Sequence, residues 1–228
     1  VMSHEIRTPI NGVIGTAGIL SDLKLNHEQK TYTDIIKGSG ESLLYIVNDI
    51  LDLSKIEAGE LTLERTQFDL GECIEQALDL FANELDEKKL EILFMPDKNT
   101  PQNIISDSTR LRQVIVNLVG NAIKFTKNGN ISVIVTSDNM TTTTCQLNFS
   151  VEDTGIGIPI EKQHHIFDAF KQADKNTTSQ FGGTGLGLTI SQKIINKLGG
   201  NITIESDGHS GATFNFSINV EIPKQHIN

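Results

Sequence analysis

From residue 1 to about 64 nearly all the apolar side chains recur at helical spacing, which predicts helix for this part of the chain. Ile6, Ile10, Val13, Ile14 and Ala17 form one stripe, and Leu43, Leu44, Val47, Ile50, Leu51 and Ile56 form another. The spacing predicts two long helices folded into a hairpin, with the break near Ser21 to His27. Each stripe is broad, and one hairpin cannot bury both sides of it. A second copy of the chain is the economical way to complete a four-helix core, so the pattern predicts a homodimer.

After Gly59 the period changes. Asp69-Leu70-Gly71-Glu72 has the spacing of a capped helix start, and the helix it opens is predicted to run to about Lys88. Leu90 to Met95 and Ile104-Ile105 are short apolar runs that read as strands. Ile131, Val133 and Val135 alternate with polar residues, as do Leu147, Phe149 and Val151, and a polar loop containing Thr141 to Thr144 joins the two. Between these strands and the short apolar runs, Leu111, Val114, Ile115, Leu118 and Ala122 mark a helix from about Arg110 to Phe125. Ile190, Ile194 and Leu198 mark the last helix, which Gly199-Gly200 ends. Ile202 and Ile204 then lead through Gly208 and Gly211 to Phe214, Phe216, Ile218 and Val220, a terminal hairpin. The fold class expected is α+β, with an N-terminal helical hairpin (a four-helix bundle in the dimer) followed by an α/β sandwich. The domains expected are residues 1–64, residues 65–222 and a tail at 223–228.

Charge and cysteine usage narrow the partners. A net charge of −10, from 19 basic and 29 acidic residues well interspersed, argues against nucleic acid, because phosphate backbones need clustered Lys and Arg. Cys73 and Cys145 stand alone, without metal or redox spacing, and read as small core residues in a reducing compartment, with a disulfide as the minor alternative. No run approaches the roughly 18 apolar residues of a spanning helix, so the segment itself is expected to be cytoplasmic. The sequence opens three residues ahead of His4, which leads us to expect residues upstream that complete the first helix and that anchor the parent protein if it is membrane-bound.

Ser3-His4-Glu5-Ile6-Arg7-Thr8-Pro9 carries the first chemistry. An imidazole has a pKa of roughly 6.5, so near neutrality one ring nitrogen keeps a free lone pair. If the Glu5 carboxylate accepts the Nδ1 hydrogen of His4, Nε2 is left bare to attack phosphorus, and Glu5 disperses the charge that develops on the ring. Thr8 follows His4 by four residues and shares its helix face, where its hydroxyl can hold a water for the reverse hydrolysis. Pro9 cannot donate to the Glu5 carbonyl, so a kink is expected one turn past the histidine.

A second constellation lies on the helix ending at Phe125. Asn117, Asn121 and Lys124 fall along one face at spacings of four and three, an arrangement suited to a magnesium-bound polyphosphate. Amides are weak magnesium ligands, so the ion is expected to arrive with the nucleotide and to keep several waters. Asp153-Thr154-Gly155-Ile156-Gly157 puts a carboxylate at the end of the strand Leu147 to Val151. Aspartate accepts from the exocyclic amine of adenine, whereas guanine offers a carbonyl there. Farther on, Phe181-Gly182-Gly183-Thr184-Gly185-Leu186-Gly187-Leu188 opens a helix, which is where free amides and the dipole hold phosphates, and Asp174 to Gln180 could close over it as a lid. Either glycine cluster alone is also what a plain turn uses, and neither fits a dinucleotide fingerprint or a Walker loop.

Taken in order, these segments resemble the core of sensor histidine kinases. Ser3 to Pro9 is similar to their histidine box, Asn117 to Thr126 to their asparagine box, and Asp153 to Gly157 to their first glycine box. Ile166-Phe167-Asp168-Ala169-Phe170 is similar to their phenylalanine box and Gly183 to Gly187 to their second glycine box. Ile123 to Thr126 and Phe170-Lys171-Gln172-Ala173-Asp174 look closest to hybrid kinases, in which a receiver domain follows on the same polypeptide.

The resemblance implies a dimerisation and phosphotransfer hairpin and an ATP-binding domain of the GHKL type, shared with type II topoisomerases and MutL-like ATPases. It implies ATP and Mg2+ as cofactors, autophosphorylation of His4, and onward transfer to an aspartate of a response-regulator receiver, in the same polypeptide or a separate one. Carried over by residue, His4, Glu5 and Thr8 do the hairpin's chemistry, and Asn121 ligates magnesium with Asn117 assisting. Lys124 contacts phosphates and Asp153 the adenine amine. Phe125, Phe167, Phe170, Gly155, Gly157, Gly183, Thr184, Gly185, Leu186 and Gly187 shape the ATP pocket. One departure stands out: Ser179 and Gln180 occupy positions where family members often carry Arg and Lys, with Lys171 and Lys175 as the neighbouring cations. Two other readings stay open on sequence: a receiver phosphatase that uses Thr8, and a non-catalytic ATP-responsive dimerisation module.

Overall fold

The computed structural model describes residues 2–170 and 185–224, with side chains from Glu5 onward. The chain divides into two compact units, Val1–Leu61 and Thr62–Asn228, a boundary slightly ahead of the residue 64 expected from periodicity.

The first unit is the hairpin. Helix α1 spans Met2–Ser21 and α2 spans His27–Glu57. Pro9 lies inside α1, which continues as helix through it. A capping box starts α2: Asn26 Oδ1 accepts from the Gln29 N–H at 2.9 Å, and Gln29 Oε1 accepts from the Asn26 N–H at 3.0 Å. The two helices meet closely at Gly40, where a Cβ would lie 2.8 Å from Ile14 Cγ1. Nearer the start of the chain, Arg7 Nη2 donates to Asn48 Oδ1 at 3.1 Å. Ile10, Ala17 and Leu53 are buried, whereas Ile6, Val13, Leu43 and Ile50 of the two stripes are exposed.

The second unit is a sheet with helices against it. Its elements are β1 (Thr66–Asp69), α3 (Leu70–Asp79), α4 (Ala82–Lys88), β2 (Glu91–Pro96), β3 (Asn103–Ser106) and α5 (Ser108–Phe125). They are followed by β4 (Asn130–Asp138), β5 (Thr144–Asp153), the single turn α6 (Ile160–Gln163), α7 (Gly187–Lys197), β6 (Ile202–Glu205) and β7 (Ala212–Glu221). The strand order is β1-β3-β7-β5-β4-β2, with β6 pairing β7. Only the β2–β4 pairing is parallel among the described residues.

Alternation builds the core. Leu147, Phe149 and Val151 of β5 and Phe214, Phe216 and Ile218 of β7 are buried on one face, beneath Leu111, Ile115 and Leu118 of α5 and Ile194 of α7. Phe149 and Phe216 face each other in register, with ring centroids 4.5 Å apart.

The structure corrects three sequence expectations. The helix expected from Asp69 to Lys88 breaks at Leu80-Phe81, and Phe81 turns its ring onto Gly120 of α5, where an added Cβ would lie 3.4 Å from Cζ. Strand β1 has no counterpart in the sequence pattern, because Thr66–Asp69 has a single apolar residue and is held by pairing with β3. Helix α5 begins at Ser108 rather than Arg110, because Asp107 caps it by accepting the Arg110 N–H at 2.9 Å. The other oxygen of Asp107 accepts the Glu64 N–H, also at 2.9 Å.

Candidate functional site

Three elements of the second unit converge on one cradle: the C-terminal half of α5, the end of β5 with the loop after it, and the start of α7. Asn117, Asn121, Lys124 and Phe125 all lie on α5 and are half-buried. The buried stripe of Val114, Ile115, Leu118, Val119, Ala122 and Ile123 holds α5 against the rest of the unit, and these four fall beside it.

Asp153 is the last residue of β5 and is half-buried. Its Oδ1 accepts the Gly155 N–H at 2.8 Å. Burial lifts its pKa above the ordinary 3.8, while hydrogen bonds from the Gly155 and Ala212 amides pull the other way. Gly155 runs so close to the end of α5 that a Cβ would sit 2.5 Å from the Phe125 carbonyl oxygen. Gly157 has φ +70°. Gly211 has φ +69°, donates to the Gly155 carbonyl at 2.8 Å, and would drive a Cβ to 2.3 Å from the Asp153 carbonyl oxygen. The sequence pattern assigns Gly211 only a hairpin turn.

At the third element, Gly185 has φ +70°, Leu186 is buried and Gly187 opens α7. An added Cβ on Gly187 would lie 2.1 Å from Asn117 Oδ1, so α5 and α7 touch through this amide. Asn117 Nδ2 donates to Ser191 Oγ at 2.9 Å. Phe170, with φ +62°, is exposed and donates its N–H to the Gly185 carbonyl at 3.1 Å. The Phe167 carbonyl accepts from Thr189 Oγ1 at 2.8 Å. The segment after α6 is thereby tied to α7. Gly183 and Thr184 lie outside the described residues, as do Ser179, Gln180, Lys171, Lys175 and the segment Asp174 to Gln180.

Lys124 carries its ammonium 5.0 Å from the Phe125 ring centroid, and burial lowers its pKa from the ordinary 10.5. Among the described residues no group of three or more His, Cys, Asp and Glu can hold a metal. Beside the Asp153 carboxylate, α5 supplies the neutral amides of Asn117 and Asn121, weak ligands that suit an ion already bound to phosphates.

In the hairpin unit, His4 lies on α1 with its side chain outside the description, and Glu5 and Thr8 are exposed on the same helix.

Several supporting residues have little signal in the sequence. Ser206 donates to the Gly211 carbonyl at 2.6 Å and accepts the Ile158 N–H at 3.0 Å, joining the loop after Gly157 to the β6–β7 turn. Gln163 Nε2 bridges the carbonyls of Ile158 and Ser206 at 2.8 and 2.9 Å. Thr189 and Ser191 are buried polar residues of α7. Their only sequence signal is polarity beside the apolar stripe of Ile190 and Ile194.

Comparison with known proteins gives the same two-part division. Residues 1–59 match the His Kinase A (phospho-acceptor) domain, and residues 106–222 match the histidine kinase-, DNA gyrase B-, and HSP90-like ATPase family. The signal transduction histidine-protein kinase BarA of Escherichia coli (strain K12) is 44% identical over 97% of this chain and 24% of its own length. Hybrid signal transduction histidine kinase L of Dictyostelium discoideum is 41% identical over 94% of this chain and 13% of its own length. The chain therefore spans about a quarter or less of these curated relatives. Among solved structures, full-length ShkA in complex with AMPPNP superposes with a TM-score of 0.81 at 33% identity, covering 98% of this chain and 45% of that one. The complex of histidine kinase ThkA with response regulator protein TrrA gives a TM-score of 0.60 at 31% identity, covering 99% of this chain and 61% of that one.

Proposed function

This chain belongs to the histidine kinases, and from that premise we propose that it is an ATP-dependent protein-histidine kinase whose hairpin is phosphorylated on His4 and passes the group to a receiver aspartate. The observation that carries the reading is the cradle itself. Asp153 offers a half-buried carboxylate at the end of β5, glycines let backbone approach closely at Gly155 and Gly187, and α7 begins beside Asn117 with first-turn amides that suit a polyphosphate.

The chemistry follows from the residues. The Asp153 carboxylate is oriented by the Gly155 and Ala212 amides, and it accepts the adenine amine with its remaining acceptor capacity. Lys124, with the first turn of α7, balances phosphate charge. Asn121, with Asn117, holds Mg2+ together with the nucleotide, and the ion when bound neutralises charge on the phosphates. Glu5 keeps the proton on Nδ1 of His4, and Nε2 forms a bond to the γ-phosphorus as the bond from that phosphorus to the β,γ-bridging oxygen breaks and ADP leaves. Thr8 positions water for the reverse hydrolysis, which gives the same hairpin a receiver-phosphatase activity. Phe125, Phe167, Phe170, Gly183, Thr184, Gly185 and Leu186 line the nucleotide.

The chain works as a homodimer, because the exposed apolar positions of α1 and α2 need a second hairpin to cover them. Its receiver partner lies on the same polypeptide, as the names of the hybrid relatives suggest, or on a separate one. No described helix is long and apolar enough to cross a membrane, and we place this segment on the cytoplasmic side of its parent protein.

The test is incubation with ATP labelled at the terminal phosphate. The expected product is acid-labile, alkali-stable label that is absent from His4→Gln. Undiminished alkali-stable label in that variant would remove His4 from its role.

A further inference from the structure

Ser191 is a polar residue on the buried side of α7, with 2% of its surface exposed, and it sits between the core residues Ile190 and Ile194. Packing alone would favour an apolar side chain there. Its hydroxyl oxygen is engaged by a neighbouring helix, accepting the Asn117 Nδ2 hydrogen at 2.9 Å. A serine inside a helix commonly spends its own hydrogen on the carbonyl four residues earlier, which leaves the oxygen as the acceptor an amide NH2 needs.

The two ends of a carboxamide are nearly equal in size and opposite in polarity. Only its hydrogen-bond partners decide which end faces a cation. With Nδ2 of Asn117 held by Ser191, Oδ1 is turned to Gly187, so close that an added Cβ would lie 2.1 Å away. Gly187 is the first residue of α7, the turn at which phosphates are expected.

We propose that Ser191 is a positioning residue for the magnesium-bearing end of the nucleotide site: it locks the Asn117 carboxamide with its oxygen, not its nitrogen, toward the first turn of α7. The proposal rests on the nucleotide reading above. Without the serine the amide can rotate half a turn at little cost and present NH2 to the ion, which then loses an oxygen ligand. Groups that orient a metal ligand typically contribute about 10- to 100-fold in metal affinity.

The test compares Ser191→Val with Ser191→Thr in the full chain. Both add the same branch to the buried site, and only threonine keeps the acceptor. ATP is titrated calorimetrically, first in EDTA and then across a series of Mg2+ concentrations. The Mg2+ needed for half its full effect on ATP affinity is expected to rise about tenfold in Ser191→Val and to stay at the wild-type value in Ser191→Thr. Affinity in EDTA is expected to be the same in all three proteins. In an Asn117→Ala background, Ser191→Val is expected to change nothing further.

Equal Mg2+ dependence of the valine and threonine variants overturns the proposal. So does a loss of ATP affinity in Ser191→Val that is as large in EDTA as in Mg2+, which would assign the serine to holding α7 in place. Wild-type chain that takes up no ATP under either condition would sink the nucleotide reading instead, so the two failures are distinguishable.

Discussion

The two units solve the burial problem differently. In the sandwich, α3, α5 and α7 cover the inner face of the sheet, and long runs of α5, β5 and β7 are inaccessible to solvent. In the hairpin, α1 packs against α2, and Val13 and Leu43 of their apolar stripes remain about half exposed, at 50% and 48%. The lesson concerns where stability comes from. A nucleotide-binding unit with its own core can keep its shape alone, whereas a phospho-acceptor hairpin depends on whatever covers its open side.

The sharpest way to break this comparison is to damage the cradle without touching the core. Asp153→Asn replaces one carboxylate oxygen with an NH2 that cannot accept, so the adenine amine or a backbone amide loses its acceptor. ATP affinity measured by calorimetry is expected to fall about 100-fold with far-ultraviolet dichroism unchanged. The same carboxylate sets a pH response. Its proton must leave before the carboxylate can accept, and burial holds that proton at a pH above the ordinary 3.8, so ATP affinity falls on acidification earlier than an exposed aspartate would allow. The wild-type curve of affinity against pH is expected to bend above that value; a midpoint at or below 3.8 contradicts the assignment.

The hairpin half of the comparison is tested by Leu43→Glu. The residue is exposed in one copy, so the helix tolerates it, but a partner hairpin would bury an unpaired charge. Sedimentation is expected to show a dimer at least about tenfold weaker, with ATP binding by the sandwich undisturbed. An unchanged dimer would mean that the open face of the hairpin lies elsewhere.

The smallest effect is expected at Lys88, which connects α4 to the functional end of α5. Its Nζ donates to the Ile123 carbonyl at 3.0 Å, at the helix terminus where a cation is favourable, and pairs with Glu84 at 2.9 Å. Lys88→Met is expected to cost about 1 kcal/mol, or roughly 2 to 4 °C in melting temperature. Lys88→Arg is expected to recover most of it. A melt in which the hairpin and the sandwich shift together would argue against their independence.

Much of this architecture is legible in the sequence because period is a strong signal where one face is buried. The strands β4, β5 and β7 alternate cleanly, and the structure buries Leu147, Phe149, Phe214 and Phe216 as that alternation demands. Asp69 is readable as a cap because its chemistry is local: it accepts the Glu72 N–H at 3.0 Å. What escapes is set by partners distant in sequence. The break at Phe81 answers to Gly120, strand β1 to β3, and the orientation of Asn117 to Ser191, none of which any window of neighbouring residues contains. The stripes of the hairpin are legible as stripes, but spacing alone does not say which of their members a single copy buries. The site is legible as residue types, and Asn117 illustrates the remainder: its spacing points to a ligand, while its actual bonds also make it the joint between α5 and α7.

That joint bears on how α7 begins. The helix opens on Gly187, which costs about 1 kcal/mol of propensity relative to alanine, and no side chain caps the start. The first turn therefore owes its existence to the neighbouring helix more than to its own residues. Fraying there is a measure of how firmly α5 is seated, and amide exchange at Ile190, whose N–H bonds the Leu186 carbonyl at 2.9 Å, reads it directly.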